Sequence, residues 1–352
     1  MSLFAPFRLR GIELKNRIAV SPMCEYSAED GHPTNWHLVH LGSRAVGGAS
    51  LVFTEASAVS SLGRISPADA GIYLDSHVQA WRPIVAFLHD QGALSGMQLA
   101  HAGRKASTAA PWRGGEPIGA KEGGWTPVAP SAIPFDTGYA VPKELSVAEI
   151  DQIVRDFEAA ARRALQAGFQ VLELHAAHGY LLHEFLSPLC NQRADEYGGS
   201  FENRIRLPLR VAGALREIWP EQQPLFVRIS ATDWKENGWD LEQSVELSRK
   251  LKELGTDLVD VSSGGAVPGV RIPAGPGYQV GFAASIRREA GIATGAVGMI
   301  SEPTQAETII STGQADIVLL AREMLRDPYW PRRAAHTLGV KIKAPPQYER
   351  AW

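Results

Sequence analysis

An eight-stranded (β/α)8 barrel, the TIM-barrel class of α/β fold, is what this sequence predicts. Eight short apolar runs recur along the chain, stretches with helical spacing separate them, and each run stops at residues suited to gripping a ligand. Short, mostly apolar strands suit parallel pairing with both faces buried. In order, the expected strands are residues 18–20, 51–54, 96–99, 171–174, 225–229, 258–261, 293–297 and 317–320. The clearest helices between them are 147–167, 204–219, 243–254 and 303–312, all rich in good helix formers. Ser146, followed three residues later by Glu149, is a capping box that fixes the start of the first helix. At 352 residues with 45% hydrophobic side chains and no composition break, residues 1–352 read as one large barrel domain rather than two ordinary ones.

Two segments depart from the alternation. Residues 3–14, apolar on either side of Arg10-Gly11, read as an N-terminal β-hairpin that plugs the barrel bottom. Residues 102–143 are rich in Gly and Pro and carry Trp112 and Trp125. So long an excursion in a compact domain reads as a lid or inserted subdomain, and following the third strand it belongs over the mouth. Any one residue within it reads equally well as variable surface loop.

Bulk composition narrows the function. A formal charge of −3 provides no basic field for nucleic acid or an anionic membrane, which leaves a small molecule as the expected partner. No positively charged leader precedes an apolar stretch, and no run of about 18 apolar residues follows, so a soluble cytoplasmic protein is expected. Cys24 and Cys190 are the only cysteines, too few for a disulfide framework, a Cys-rich zinc site or a four-cysteine iron–sulfur cluster. Redox chemistry in this chain therefore calls for a carried cofactor.

The strand ends offer Ser21-Pro22-Met23-Cys24-Glu25-Tyr26, Glu55-Ala56, Gln98 with His101, the set His175, His178 and Tyr180, then Arg228, Ser262-Ser263, Gly298-Met299 and Ala321-Arg322. In a barrel these ends converge on one pocket, and loops after strands seven and eight often hold a phosphate, which suits Gly298 and Arg322. Deeper in, Gln98 and Arg228 present an amide and a guanidinium to a flat heterocycle with several acceptors. By spacing alone, His175 and His178 read as a buried hydrogen-bonded pair, as metal ligands of a barrel hydrolase, or as two N–H donors to one substrate oxygen. The metal reading weakens because a catalytic zinc needs three protein ligands and no other His, Asp or Glu stands at metal spacing nearby. A lone cysteine such as Cys190 reads as an inert core residue.

Five motifs carry a family resemblance. They are Ser21-Pro22-Met23-Cys24-Glu25-Tyr26, the run Gln98 to Lys105 (Gln-Leu-Ala-His-Ala-Gly-Arg-Lys), His175-Ala176-Ala177-His178-Gly179-Tyr180, the run Asp195 to Arg204, and the terminal Gln347 to Trp352. Together, and nearly end to end, they resemble the Old Yellow Enzyme family and within it the bacterial, thermophilic-like ene-reductase branch. The resemblance implies bound FMN, NADPH as electron donor, and activated alkenes (enones, maleimides, nitroalkenes) as substrates reduced by ping-pong hydride transfer. It implies that His175 and His178 clamp the substrate oxygen, that Tyr180 donates the proton, that Cys24 adjusts the flavin potential, and that Tyr26 borders the substrate. The flavin ring would be held by Ser21, Pro22, Met23, Cys24, Ala56, Gln98 and Arg228, and its phosphate by Gly298, Ala321 and Arg322. The tail, residues 340–352, would cross to a neighbouring subunit of a homodimer or homotetramer, where Arg350 acts in trans.

One position departs from the family pattern. Ala321 stands where a glycine is usual, and a positive φ there would cost Ala about 1 kcal/mol and weaken FMN binding. No Gly-x-Gly-x-x-Gly follows a strand; Gly275-Pro276-Gly277 is the nearest approach, so nicotinamide is expected to visit rather than reside.

Overall fold

The computed structural model describes residues 2–351. Its strands in chain order are β1 (Phe7–Leu9), β2 (Ile12–Leu14), β3 (Ile18–Val20), β4 (Leu51–Ala58), β5 (Leu94–Ala100), β6 (Val128–Ala129), β7 (Lys143–Glu144), β8 (Val171–Ala176), β9 (Leu225–Ser230), β10 (Leu258–Ser262), β11 (Ala293–Ala296) and β12 (Ile317–Leu320). The helices are α1 (Asn35–Val46), α2 (Asp75–Asp90), α3 (Val147–Ala167), α4 (Leu181–Leu186), α5 (Phe201–Arg204), α6 (Arg206–Ile218), α7 (Leu241–Glu253), α8 (Val280–Ala290), α9 (Pro303–Ser311), α10 (Arg322–Arg326) and α11 (Trp330–Thr337). Strands β3, β4, β5, β8, β9, β10, β11 and β12 pair in that order, all parallel, and β12 closes on β3. The expected TIM barrel is the observed one. Among the described residues no helix is long and apolar enough to cross a membrane.

The main differences from the expected elements have local causes. Strand β4 continues past Thr54 to Ala58 because the carboxylate of Glu55 turns to the helix side, where His37 Nε2 meets it at 2.9 Å with both groups buried. A register shift between Phe53 and Ala56 accompanies that turn. The helix expected over 204–219 is broken at Ile205 into α5 and α6, since Pro208 has no N–H to return to the Arg204 carbonyl. Ser146 caps α3 as expected: its hydroxyl accepts from the Glu149 N–H at 3.3 Å and its own N–H donates to Glu149 Oε2 at 3.0 Å.

Two apolar layers hold the barrel. The outer one lies between strands and helices and includes Trp81, Phe157, Leu172, Val227 and Ile310. The inner one fills the lower barrel with Leu51, Phe53, Phe226, Leu258 and Leu319, and the β1–β2 hairpin joins it through Leu14, Phe7 and Leu9. Burying the hairpin's apolar side chains thus excludes water from the barrel bottom and leaves the opposite end for chemistry. In the 102–143 segment, Ala102 and Ala106 form a small buried cluster with Ile65, against which Trp125, Cys24, Tyr26 and Tyr180 pack.

Phe226 is fully buried, with its ring centroid 5.9 Å from that of Phe53. Replacing it with Ala is expected to destabilise the fold by about 3–5 kcal/mol, read as a lowered denaturant midpoint with the slope unchanged.

Candidate active site

His175 is the fifth residue of β8 and points into the barrel mouth, while His178 follows in a tight turn. That turn runs through left-handed backbone, with φ of 59° at His178 and 73° at Gly179. Gly179 has no freedom to be anything larger: a Cβ there would lie 2.0 Å from the Gly265 carbonyl oxygen. Strain at His178 is held by specific bonds. Its N–H donates to Ser230 Oγ at 2.9 Å, and its carbonyl accepts from Lys105 Nζ at 2.9 Å. The Gly179 N–H donates to His183 Nδ1 at 2.8 Å, and His183 Nε2 lies 2.9 Å from the buried Asp233 carboxylate.

These constraints set the imidazole protons. The Ala177 N–H donates to His175 Nδ1 at 3.2 Å, which leaves the proton of the neutral ring on Nε2. His175 Nε2 faces His178 Nδ1 at 3.4 Å with the rings perpendicular, and His178 Nε2 lies 2.7 Å from Ser262 Oγ. The contacts are satisfied together when His175 Nε2–H donates to His178 Nδ1 and His178 Nε2–H donates to Ser262 Oγ, whose hydroxyl turns to Gln279 Oε1 at 3.4 Å; a Ser262 hydroxyl that donates to Nε2 instead puts the His178 proton on Nδ1. Burial, reinforced by the Arg228 charge, drives both histidines well below the usual imidazole range and keeps them neutral. No group of three or more His, Cys, Asp or Glu side chains among the described residues is placed to hold a metal ion, so the ligand reading of the pair finds no third partner.

Tyr180 packs its ring edge-on to His175 with centroids 5.0 Å apart. Burial, and then the neighbouring Cys24 and Tyr26, push its phenol well above the ordinary value, so it stays protonated. The ammonium of Lys105 lies 5.2 Å from the Tyr180 ring centre and 4.7 Å from that of Phe135. Cys24 is held as a thiol by burial and the nearby carboxyls of Asp69 and Glu55, which is no environment for a nucleophilic thiolate. Tyr26, left-handed at φ 47°, meets Trp112 edge to face at 5.6 Å.

The remaining predicted residues gather around the same mouth. Ser21 continues the β3 ladder by donating its N–H to the Leu320 carbonyl at 3.0 Å, and its hydroxyl accepts from Arg228 Nη1 at 3.1 Å. Pro22 and Met23 follow it, and Ala56 stands opposite Gln98 in the register of β4 and β5. Gly298, Ala321 and Arg322 line a cavity of about 320 Å³ that Ser262 also borders. Gly298 has φ 118°, and a Cβ there would come within 2.7 Å of Gln279 and 2.9 Å of Tyr278, so the cradle needs glycine. A cavity with bare backbone and an arginine side chain fits a phosphate, and the amide of Gln98 and guanidinium of Arg228, facing into the barrel, fit the polar edge of a flavin. Ala321 has φ −102°, so the penalty anticipated for a missing glycine does not arise.

Arg350 lies apart from its own chain's mouth, exposed on a short 3-10 helix, Pro346–Ala351. Trp352, the last residue of the expected tail, falls outside the described residues. The sequence reading passed over a set of buried partners: Glu173, which accepts from Gln98 Nε2 at 2.7 Å, Asp260, 3.1 Å from Arg228 Nε, and the pair His183 and Asp233. Glu173 and Asp260 had one signal in the sequence, a charged residue inside an otherwise apolar run, and His183 and Asp233 had none.

Comparison with known proteins agrees with this geometry. The chain is 51% identical over 352 residues to an NADPH dehydrogenase of Geobacillus sp. (strain WCH70), covering 99% of this chain and 98% of that one. It superposes on the old yellow enzyme homologue from Zymomonas mobilis with TM-score 0.80 at 27% identity, covering 99% of this chain and 98% of that one. A 2-naphthoyl-CoA reductase structure matches with TM-score 0.86 at 25% identity over 96% of this chain, which spans about half (52%) of that longer protein. The family model described as NADH:flavin oxidoreductase / NADH oxidase matches residues 2–340. The chain therefore belongs to the NADH:flavin oxidoreductase / NADH oxidase family, the FMN-type oxidoreductases that include the Old Yellow Enzymes.

Proposed function

We propose that this enzyme uses NADPH to reduce activated C=C bonds of enones, maleimides or nitroalkenes. When bound, FMN supplies the two-electron chemistry, taking hydride from the nicotinamide and giving it to the alkene in a ping-pong cycle. In this reading Ser21, Pro22, Met23, Cys24, Ala56, Gln98 and Arg228 hold the ring, and Gly298, Ala321 and Arg322 hold the phosphate. Arg228 offers a fixed cation where the reduced ring carries negative charge.

The observation that carries the proposal is the neutral histidine pair with both ring orientations fixed. Hydride arriving at the β-carbon drives charge onto the activating oxygen of the substrate. His175 Nε2–H, and His178 Nδ1–H once Ser262 donates to the other nitrogen of that ring, stabilise that charge. Tyr180, held protonated, donates to the α-carbon, and a weak acid suits so basic a centre. Tyr26 closes one side of the substrate space with Trp112 behind it. The cytoplasm, where NADPH is supplied, is the expected compartment. The tail is read as acting in trans: Arg350, exposed and away from its own mouth, completes the site of a neighbouring subunit in a homodimer or homotetramer.

The purified protein is expected to be yellow, to release FMN on denaturation, and to bleach with NADPH without oxygen until an enone restores the colour. A colourless protein that takes up no added FMN removes the assignment. Replacing His175 or His178 with Ala is expected to weaken phenol ligands and slow the alkene half-reaction about 100-fold. Tyr180→Phe is expected to slow alkene reduction about as much while preserving phenol binding; stopped-flow reoxidation with a ligand titration separates the two roles. For the tail, sedimentation is expected to show a dimer or tetramer, and Arg350→Ala to raise KM for the alkene with FMN content unchanged. A fully active monomer excludes action in trans.

A further inference from the structure

The register that closes the barrel leaves five polar side chains facing inward on adjacent strands. Gln98 stands opposite Glu173 across β5 and β8, His175 opposite Arg228 across β8 and β9, and Arg228 opposite Asp260 across β9 and β10. Glu173 Oε1 accepts from Gln98 Nε2 at 2.7 Å, while Asp260 forms its ion pair with Arg228 at 3.1 Å. Both carboxyl groups are fully buried. Oε2 of Glu173 and Oδ1 of Asp260 find no hydrogen-bond partner among the described residues.

Two carboxylates and one guanidinium do not all keep their charges in such a place, because burial and mutual repulsion both favour a neutral acid. A single proton shared by the two carboxyls removes the repulsion and makes the cluster neutral. Asp260, paired with the cation, is the natural anion; Glu173, whose partner is an amide, is the natural acid. Burial and then Asp260 push Glu173 up from the carboxylate range against the opposing pull of Arg228 and Gln98. Burial also raises Asp260, and Arg228 opposes that rise. The charges that act on Glu173 are those of Asp260 and Arg228. His175 is held neutral, β3, β11 and β12 carry no charged residue, and the one on β4, Glu55, is paired with His37.

We propose that Glu173 is a proton-exchanging partner of the flavin: it shares one proton with Asp260 over Arg228, and binds that proton more tightly when the flavin is reduced. The inference rests on the reading that sets Arg228 against the flavin ring. Hydride from NADPH brings two electrons and one proton to FMN, and the net negative charge gained there occupies the attraction of Arg228. Where Glu173 begins ionised, its carboxylate then takes one further proton from water, an O–H bond forming on Glu173 as one in water breaks and hydroxide goes to the buffer. The cluster so returns to neutrality, and the reduced state is favoured.

The test is the flavin midpoint potential of the holoenzyme, followed spectrally from about pH 7 to 9.5. A reduction that takes up one proton gives one slope against pH, and a second proton gives a slope up to roughly twofold steeper. Wild type is expected to steepen in the alkaline part of this range, whereas Glu173→Gln, which stays neutral, keeps the shallow slope and the higher potential. Parallel curves overturn the proposal. Should Glu173→Gln fail to retain FMN, the reduced-minus-oxidised infrared spectrum of the wild-type holoenzyme at alkaline pH decides. A protonated-carboxyl band that appears on reduction and shifts in D2O supports the proposal, and its absence overturns it. Arg228→Lys separates this from the reading beneath it. A potential unmoved by that change removes Arg228 from the flavin, whereas a moved potential with parallel Glu173→Gln curves removes only the role of Glu173.

Discussion

Closing eight parallel strands into a cylinder forces alternate residues of every strand into a space without water, and the rest of this protein answers to that constraint. In the lower half the answer is apolar: Phe53, Phe226 and Leu319 fill the barrel and the hairpin stoppers it. In the upper half the same alternation brings Gln98, Glu173, Arg228 and Asp260 together. Each of these is tolerable only because another is there. A lone Arg228 inside the barrel would be an unpaired buried charge, and a lone Asp260 another. The polar layer is therefore a unit fixed by strand register.

The fold was legible because its signals are local and repeated. Each strand of the barrel announces itself by a short apolar run, and Ser146 with Glu149 marks the start of α3 without reference to anything distant. What escaped was whatever depended on a partner elsewhere in the chain. Strand β4 was cut short at Glu55 because nothing nearby in sequence shows that His37, 18 residues earlier, receives that carboxylate. The site divides along the same line. His175, His178, Tyr180, Gln98 and Arg228 lie at strand ends, where barrel geometry alone marks them, and the structure brings them to one mouth. Glu173, Asp260, His183 and Asp233 are meaningful only as partners, 75 residues separating Gln98 from Glu173. The concern over Ala321 turned on the sign of its φ, and a φ of −102° removes the positive-φ penalty.

The turn from Ala177 to Tyr180 shows how the fold fixes chemistry at a distance. A left-handed His178 is costly by itself, by roughly 1–3 kcal/mol. The turn persists because its N–H and C=O groups are claimed by Ser230 on β9, by Lys105 beyond β5, and by His183 in α4. Lys105 is itself buried, with its ammonium pushed down to about 8 by that burial. Its hold on the His178 carbonyl and on two aromatic faces replaces the water it has lost. Three separate elements thus determine where one imidazole sits, none of which its spacing from His175 reveals.

Dryness also selects the protonation states. Histidines that carried charge would bind anions in the resting enzyme, so that part of their stabilisation would be present before any charge developed on substrate. In the proposed reading, neutral donors are weakly engaged at rest and strengthen as negative charge arrives, which places their effect in the transition state. The burial that keeps His175 and His178 neutral is the same burial that keeps Tyr180 a phenol, and both lie against one another at the mouth. One environment therefore keeps two imidazoles and one phenol uncharged together. With the imidazoles neutral and Cys24 held as a thiol, Arg228 and its carboxyl partners carry the charge of the polar layer, and in the proposed reading a change in their proton count is felt at the ring-binding end.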